Sequence, residues 1–153
     1  MAERATPKAI AIRNALLVEL QKIGIDDDTA WLTRPKTVDL AWKITDSAPL
    51  PLIALSSGRP VDHEAWTNNV HREVVEFQIV CRTESGDDPD LALHQLLDDV
   101  RVCLRLNHDL TGALNLEDGG VAEVGLDWPP GGAGKGFGVV LARALVETTD
   151  ADA

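Results

Sequence analysis

A two-residue alternation in the middle of the sequence most restricts what this chain can fold into. Apolar residues alternate there with mostly polar ones, in the order Val75, Glu76, Phe77, Gln78, Ile79, Val80, Cys81, Arg82. Because successive side chains of a β-strand point to opposite faces, the pattern predicts a strand with one buried face. The acidic segment from Glu84 to Asp88 predicts a turn at its end.

Two segments have a helical period instead. After Pro89, a residue suited to a first helical turn, apolar residues recur at intervals of three and four. They are Leu93, Leu96, Leu97, Val100 and Leu104, while Asp98, Asp99, Arg101 and Arg105 are predicted to face away from them. An earlier helix is predicted from Ile12, Leu16, Leu20 and Ile23. It is expected to end at Gly24.

The remaining segments predict strands and one long loop. Alternation from Val38 to Ile44 predicts a strand with Trp42 on its core face. The apolar run from Leu50 to Leu55 predicts another strand, and the prolines at its start favour an edge position. The chain from Arg59 to Asn69 has no period and predicts a long loop. Residues 121–128 and 137–146 predict a closing hairpin joined by a glycine-rich connection.

These elements follow one another in the order α-β-β-β-α-β-β. Runs of strands with hairpin connections favour a largely antiparallel sheet of about five strands, with two helices packed on it. The chain of 153 residues is 44% hydrophobic, a composition typical of a globular protein. We therefore expect an α+β fold in which residues 1–153 form a single domain.

The charge of the chain is unevenly distributed. The formal net charge is −11, and residues 73–153 carry all of the excess, with sixteen Asp and Glu against five Lys and Arg. Non-specific binding to nucleic acids depends on cationic contacts with phosphates, so we expect none here. No apolar run approaches the roughly 18 residues of a membrane span, and no membrane association is expected.

The residues that could carry chemistry do not form a recognisable catalytic pattern. Cys81 and Cys103 lie inside periodic segments and are predicted to be reduced, buried thiols. His63 and His71 lie among carboxylates between positions 62 and 73, but their spacing matches no common metal-binding pattern. We therefore expect no catalytic residue, metal or cofactor. A small metal-dependent hydrolase that uses the two histidines remains an alternative.

The tryptophans suggest a binding role. Trp31 is expected to fold back onto the domain. Trp66 lies in the predicted long loop, where a large amphipathic ring is a candidate anchor for another protein. An intracellular adaptor that binds its partner through Trp66 is therefore a third hypothesis.

From Ile10 to Val146, the layout of the sequence resembles that of the phage tail terminator proteins, which include the minor tail protein U-like and tail-to-head joining proteins. The resemblance rests on the strand at residues 72–80, the acidic turn and two short motifs. Residues 96–104 match L-x-x-[DE]-V-x-x-x-[LC], and residues 107–112 match [ND]-x-x-L-x-G. A late hairpin completes the layout.

This resemblance implies a virion protein that is assembled in the host cytoplasm. Members of the family form a homo-oligomeric ring, usually a hexamer, at the head-proximal end of the tail tube. The ring ends polymerisation of the tube protein and offers a joining surface to the neck, or head-completion, protein. DNA passes through its channel without specific binding. Another neck or tail-completion protein of the same virion is the alternative.

The resemblance also assigns roles to individual residues. The subunit interface is expected to include Arg59, Trp66 and Arg72. Like charges on a channel wall repel a phosphate backbone, so the acidic second half of the chain is expected to line the channel. The candidates are Asp98, Asp99, Glu117, Asp118, Glu123 and Asp127. The alternative is that these residues are spread over the outer surface and keep the protein soluble.

Overall fold

The sheet is organised around the pairing of two long strands, β4 (Val70–Thr83) and β6 (Lys135–Thr149). In the computed structural model they form an antiparallel pair that runs without interruption from Val70 opposite Thr149 to Thr83 opposite Gly136. The structure describes residues 7–67, 70–84, 86, 88–110, 114–127 and 135–149.

Within these described ranges, two helices and four further strands lie around this pair. They are α1 (Lys8–Leu20), β1 (Thr37–Leu40), β2 (Leu52–Leu55), β3 (Arg59–Thr67), α2 (Pro89–Leu106) and β5 (Leu114–Asp127). The strands lie in the order β1-β2-β4-β6-β5, and β3 pairs with the part of β4 that β2 leaves uncovered. Only β1 and β2 run parallel among the described strand pairs. The predicted α+β class and the mostly antiparallel sheet are confirmed.

The hydrophobic core lies between one face of the sheet and the two helices. Val75, Phe77, Ile79 and Cys81 of β4 are buried, as their alternation predicts. Apolar residues of both helices pack in the same cluster, among them Ile12, Leu16 and Leu20 of α1 and Leu93, Leu96, Val100 and Leu104 of α2. Trp31 packs against this cluster, which confirms that it folds back onto the domain.

The start of α2 follows the predicted signals, whereas α1 ends at Leu20, before the predicted Gly24. The carboxylate of Asp88 accepts a hydrogen bond of 3.0 Å from the backbone N–H of Leu91, and Pro89 begins α2. Beyond α1, Gly24 has a φ of +79°, and a Cβ there would lie 2.5 Å from the carbonyl oxygen of Thr33. Only glycine fits this position without strain, so Gly24 shapes the turn that follows α1 rather than the end of the helix itself.

The predicted long loop is wrong, because residues 59–67 form strand β3. This strand pairs with β4 in antiparallel register, from Arg59 opposite Glu76 to Thr67 opposite Val70, with two irregularities. The side chains from Arg59 to His63 are exposed. Because neither face of the described stretch from Arg59 to His63 is buried, the sequence there shows no alternation. In the part of the chain that the structure describes, the sheet therefore has six strands, one more than predicted.

Two predictions about the first strands are also wrong. Strand β1 ends at Leu40, opposite Leu55, because its partner β2 has only four residues. The chain then enters a 3₁₀ turn at Ala41–Lys43, which leaves Trp42 72% exposed rather than in the core. Because β1 pairs with the outer side of β2, β1 is the edge strand and β2 is internal.

Asp99 corrects the expectation that the acidic residues of α2 face solvent. Its side chain is buried, and its carboxylate accepts hydrogen bonds from the backbone N–H groups of Leu32 and Thr33, at 3.0 and 2.7 Å. The hydroxyl of Thr33 also donates to it. These charge-assisted bonds offset the cost of removing the carboxylate from water. They fix the connector between α1 and β1 onto α2.

We expect Asp99→Ala to lower the free energy of unfolding by about 3 kcal/mol, because it leaves buried donors without their acceptor. Its exposed neighbour is the matched control. Asp98→Ala should change stability by less than about 0.5 kcal/mol. Urea unfolding followed by tryptophan fluorescence measures both. Equal effects of the two substitutions would contradict the role given to Asp99.

Gly136 allows α2 to approach the sheet closely. A Cβ at this position would lie 2.9 Å from the Cβ of Leu93 and closer still to the hydroxyl of Thr83. That hydroxyl accepts a hydrogen bond of 3.1 Å from the backbone N–H of Gly136. Helix and strand would both have to shift to accept a methyl group.

Gly136→Ala should therefore destabilise the fold by about 1–3 kcal/mol, the usual cost of overpacking a core. Gly125→Ala is the control, since a Cβ at Gly125 meets no atom within 4 Å. Thermal unfolding of the two variants at one protein concentration makes the comparison. If Gly136→Ala unfolds at the same temperature as the parent, the close approach of α2 does not constrain the fold.

Candidate functional site

The face of the sheet opposite the helices carries a row of alternating charges. Arg59, Glu76, Arg143 and Glu117 are successive register partners on β3, β4, β6 and β5. Directly opposed residues project from the same face, so the four form one row. Glu76 is buried and accepts a hydrogen bond of 3.0 Å from Nε of Arg143, while the Arg59 guanidinium lies 3.5 Å away. The row makes this half of the open face polar.

Two of the predicted interface residues lie on neighbouring strands of this region. Arg59, on β3, has a side chain that is 70% exposed beside Glu76. Arg72, on β4, is half-buried and lies opposite Glu147 of β6. Trp66 belongs to β3, but its side chain lies outside the described part of the structure. Arg59 is therefore the most accessible of the described interface candidates.

The two histidines of the hydrolase alternative form a stacked pair. The rings of His63 on β3 and His71 on β4 have centroids 5.5 Å apart, and Glu73 lies 3.6 Å from Nδ1 of His63. Across the described residues, no group of three or more His, Cys, Asp or Glu side chains has the geometry to hold a metal ion. The pair is a cross-strand contact on the β3–β4 hairpin.

The predicted channel residues do not form one patch. Glu117 and Glu123 are exposed on β5, and their register partners Arg143 and Val139 place them on the open face. Asp98 is exposed on α2, in the helical layer on the other side of the sheet. Asp99 is buried in the same helix, so it cannot line a channel. The side chain of Asp127 lies outside the described part of the structure.

Asp118 is held by two arginines of α2. Nε of Arg101 donates a hydrogen bond of 2.6 Å to its carboxylate, the Arg105 guanidinium lies 3.6 Å away, and the backbone N–H of Gly120 donates at 2.9 Å. Burial raises the pKa of Asp118, but these donors and positive charges outweigh it and hold the pKa below its usual value. Asp118 is therefore an ionised carboxylate whose charge is balanced by two arginines, and its ion pairs link β5 to α2.

An apolar groove lies between α2 and β5, and we call it the α2–β5 groove. It has a volume of about 610 Å³ and is lined by Leu32, Leu91, His94, Gln95, Leu97, Asp98, Arg101, Val121 and Val124. Four of its apolar side chains are 40–55% exposed: Leu32, Leu91, Val121 and Val124. Clustered exposed aliphatic side chains on a soluble surface mark a place where another molecule binds.

A second concavity lies on the open face, under the segment at residues 41–50. It has a volume of about 510 Å³ and is lined mainly by apolar side chains, among them Ile44, Leu50, Leu52, Val80 and Phe137. The guanidinium of Arg82 lies 5.9 Å from the centroid of the Phe137 ring. This segment covers the apolar half of the open face and leaves the charged row uncovered.

Both cysteines are free and buried, as predicted. Burial raises the pKa of Cys81 and of Cys103 to about 12. A thiol that stays protonated is a poor nucleophile, so neither residue is suited to covalent catalysis.

Sequence patterns missed several of these residues. Glu76 occupies a polar position of an alternating strand, and only the register of the sheet shows that two arginines flank it. Val121 and Val124 are three positions apart, yet both line the groove, because Gly120, at a φ of +88°, and the irregular pairing after it shift the strand. Periods read along one segment cannot reveal contacts between segments.

A comparison of the chain with protein-family models and with curated protein sequences finds no match. None of the helices in the described ranges is long and apolar enough to cross a membrane.

The pKa of Asp118 gives a pH-dependent prediction. A folded-state pKa below the unfolded value stabilises the fold at neutral pH, and this contribution is lost as the pH falls through the folded-state pKa. Asp118→Asn should therefore be less stable than the parent at pH 7, and the difference should shrink between about pH 5 and pH 3.

Urea unfolding across this pH range measures the difference. Glu117→Gln removes an exposed charge from the preceding residue and is the control. Its stability should track that of the parent at every pH. A stability difference for Asp118→Asn that does not change with pH would contradict the assignment.

Proposed function

We propose that this chain is a structural protein of a phage virion, which closes into a ring at the head-proximal end of the tail tube and ends tube polymerisation. The observation that carries the proposal is the α2–β5 groove, where four large aliphatic side chains remain 40–55% exposed. A chain that functions alone rarely leaves such a cluster open to water. The resemblance to tail terminator proteins indicates that the assembly is a homo-oligomeric ring.

The residues that carry this resemblance lie at the centre of the fold. Leu96, Val100 and Leu104 of the first motif are buried under the sheet. In the second motif, the amide of Asn107 donates a hydrogen bond of 2.9 Å to the carbonyl oxygen of Cys103, and Leu110 packs against the core. The motifs therefore support an architecture shared with tail terminator proteins, in which α2 ends at a fixed position before β5 begins.

The exposed acidic side chains suit passage of DNA through such a ring. Glu117 and Glu123, on the open face of the sheet, carry charges that reach solvent. Salt screens their field beyond a Debye length of about 8 Å, so repulsion of a phosphate backbone would act close to the channel wall. In the proposed ring, DNA passes without adhering, and the faces of the ring contact the tube protein and the neck protein.

The proposed ring predicts a mass and an activity. Six chains of 16.5 kDa would have a mass of about 99 kDa by native mass spectrometry or light scattering. Added to polymerising tube protein from the same virion, the assembled protein should shorten the tubes in proportion to its concentration. Capped ends should be visible by electron microscopy, and bovine serum albumin at equal concentration is the control.

Two results would separate the alternatives. A ring of the expected mass that leaves tube length unchanged would favour a neck or tail-completion protein of the same virion. A chain that stays monomeric up to millimolar concentration, with and without tube protein, would contradict a ring of either kind.

A further inference from the structure

The α2–β5 groove can accept a large side chain. Its volume of about 610 Å³ is within the range of pockets that enclose an organic ligand. Leu97 forms part of its lining and is buried, whereas Leu32, Leu91, Val121 and Val124 stay exposed around it. Within the described ranges, no segment of the same chain covers these four side chains. The shape and chemistry fit an aromatic side chain from another molecule.

The opposite edge of the sheet presents such a side chain. Trp42 is 72% exposed, the largest exposed fraction among the large apolar side chains of the described residues. It lies two residues beyond the end of β1, the edge strand farthest from β5 in the sheet order. The Nζ of Lys43 lies 5.2 Å from the centroid of the Trp42 ring. The edge therefore offers an aromatic ring together with a cation.

The charges around the groove complement this pair. Arg101 lines the groove, but its Nε lies 2.6 Å from the carboxylate of Asp118, with which it forms an ion pair. Nε2 of His94 lies 3.4 Å from the carboxylate of Asp90. Asp98 is exposed and forms no ion pair with another described residue. The accessible charge at the rim is therefore negative, and it would attract the cation that accompanies Trp42.

We propose that Trp42 of one copy of this chain inserts into the α2–β5 groove of the next copy, with Lys43 beside Asp98. This inference rests on the proposed ring and specifies its subunit contact. A ring requires two different surfaces on each subunit, and this pair lies on opposite edges of one sheet.

Side chains, rather than added strands, make this contact. Strand β1 has only four residues, and β5 pairs irregularly in three places, so neither edge favours strand addition. A tryptophan in an apolar pocket is a frequent centre of a protein interface.

The contact is tested first by substitution on each side. Trp42→Ala and Val124→Asp should each weaken ring assembly by at least about tenfold in dissociation constant. Ile25→Ala and Leu106→Asp alter side chains that are 64% and 59% exposed but lie outside both surfaces, so they should assemble like the parent. Analytical ultracentrifugation measures assembly, and circular dichroism shows that each variant is folded.

Cross-linking then tests the pairing itself. Lys43→Cys and Asp98→Cys chains, which keep Trp42 and the valines of the groove, are mixed and treated with a short bifunctional maleimide, while the native cysteines are buried and protected. A covalent dimer should form in the mixture and in neither variant alone. The double variant should give a ladder of products that ends at the subunit number of the ring.

The outcomes separate this contact from the ring itself. If the parent forms a ring but the mixture gives no cross-link and both substitutions assemble normally, the contact is wrong while the ring stands. The contact is also wrong if Val124→Asp forms rings but no longer acts on tube protein, since the groove then belongs to that partner. A monomeric parent would overturn the ring and the contact together.

Discussion

The uninterrupted pairing of β4 with β6 fixes the position of every other element. It aligns fourteen residue pairs, from Val70 opposite Thr149 to Thr83 opposite Gly136. The core-facing side of β4 is large and apolar, whereas the positions opposite it on β6 are small, including Gly138, Ala142 and Ala144. Small residues on β6 let α2 approach the sheet, and β5 continues the sheet beyond β6. If this pair slipped by one residue, every buried side chain on it would move to the open face.

This arrangement gives the molecule two unlike edges and two unlike faces. Strand β1 ends after four residues and presents Trp42, whereas β5 runs for fourteen residues beside α2 and forms the groove. One face is covered by the helices, and the other carries a row of paired charges through Glu76. Unlike edges on one rigid sheet are what head-to-tail association requires, because each copy must offer a different surface to each neighbour.

Much of the fold could be predicted from the sequence where one side of an element is buried. The alternation in β4 and the helical period of α2 are direct consequences of burial on one face, so the sequence predicts this strand and this helix correctly. Strand β3 was missed because its described side chains are exposed. Trp42 was misplaced because the length of its strand depends on β2, a partner elsewhere in the sequence. Asp99 looked like a surface residue because its hydrogen-bond donors lie 66 and 67 positions away.

We propose that copies of this chain close into a ring around a channel. Electron microscopy of the purified protein, imaged alone and at the ends of tube-protein assemblies, tests it most directly. We expect end-on views with about sixfold symmetry and a central opening, and the same ring at one end of each tube. Particles of the size of one or two chains, with no ring at tube ends, would contradict it.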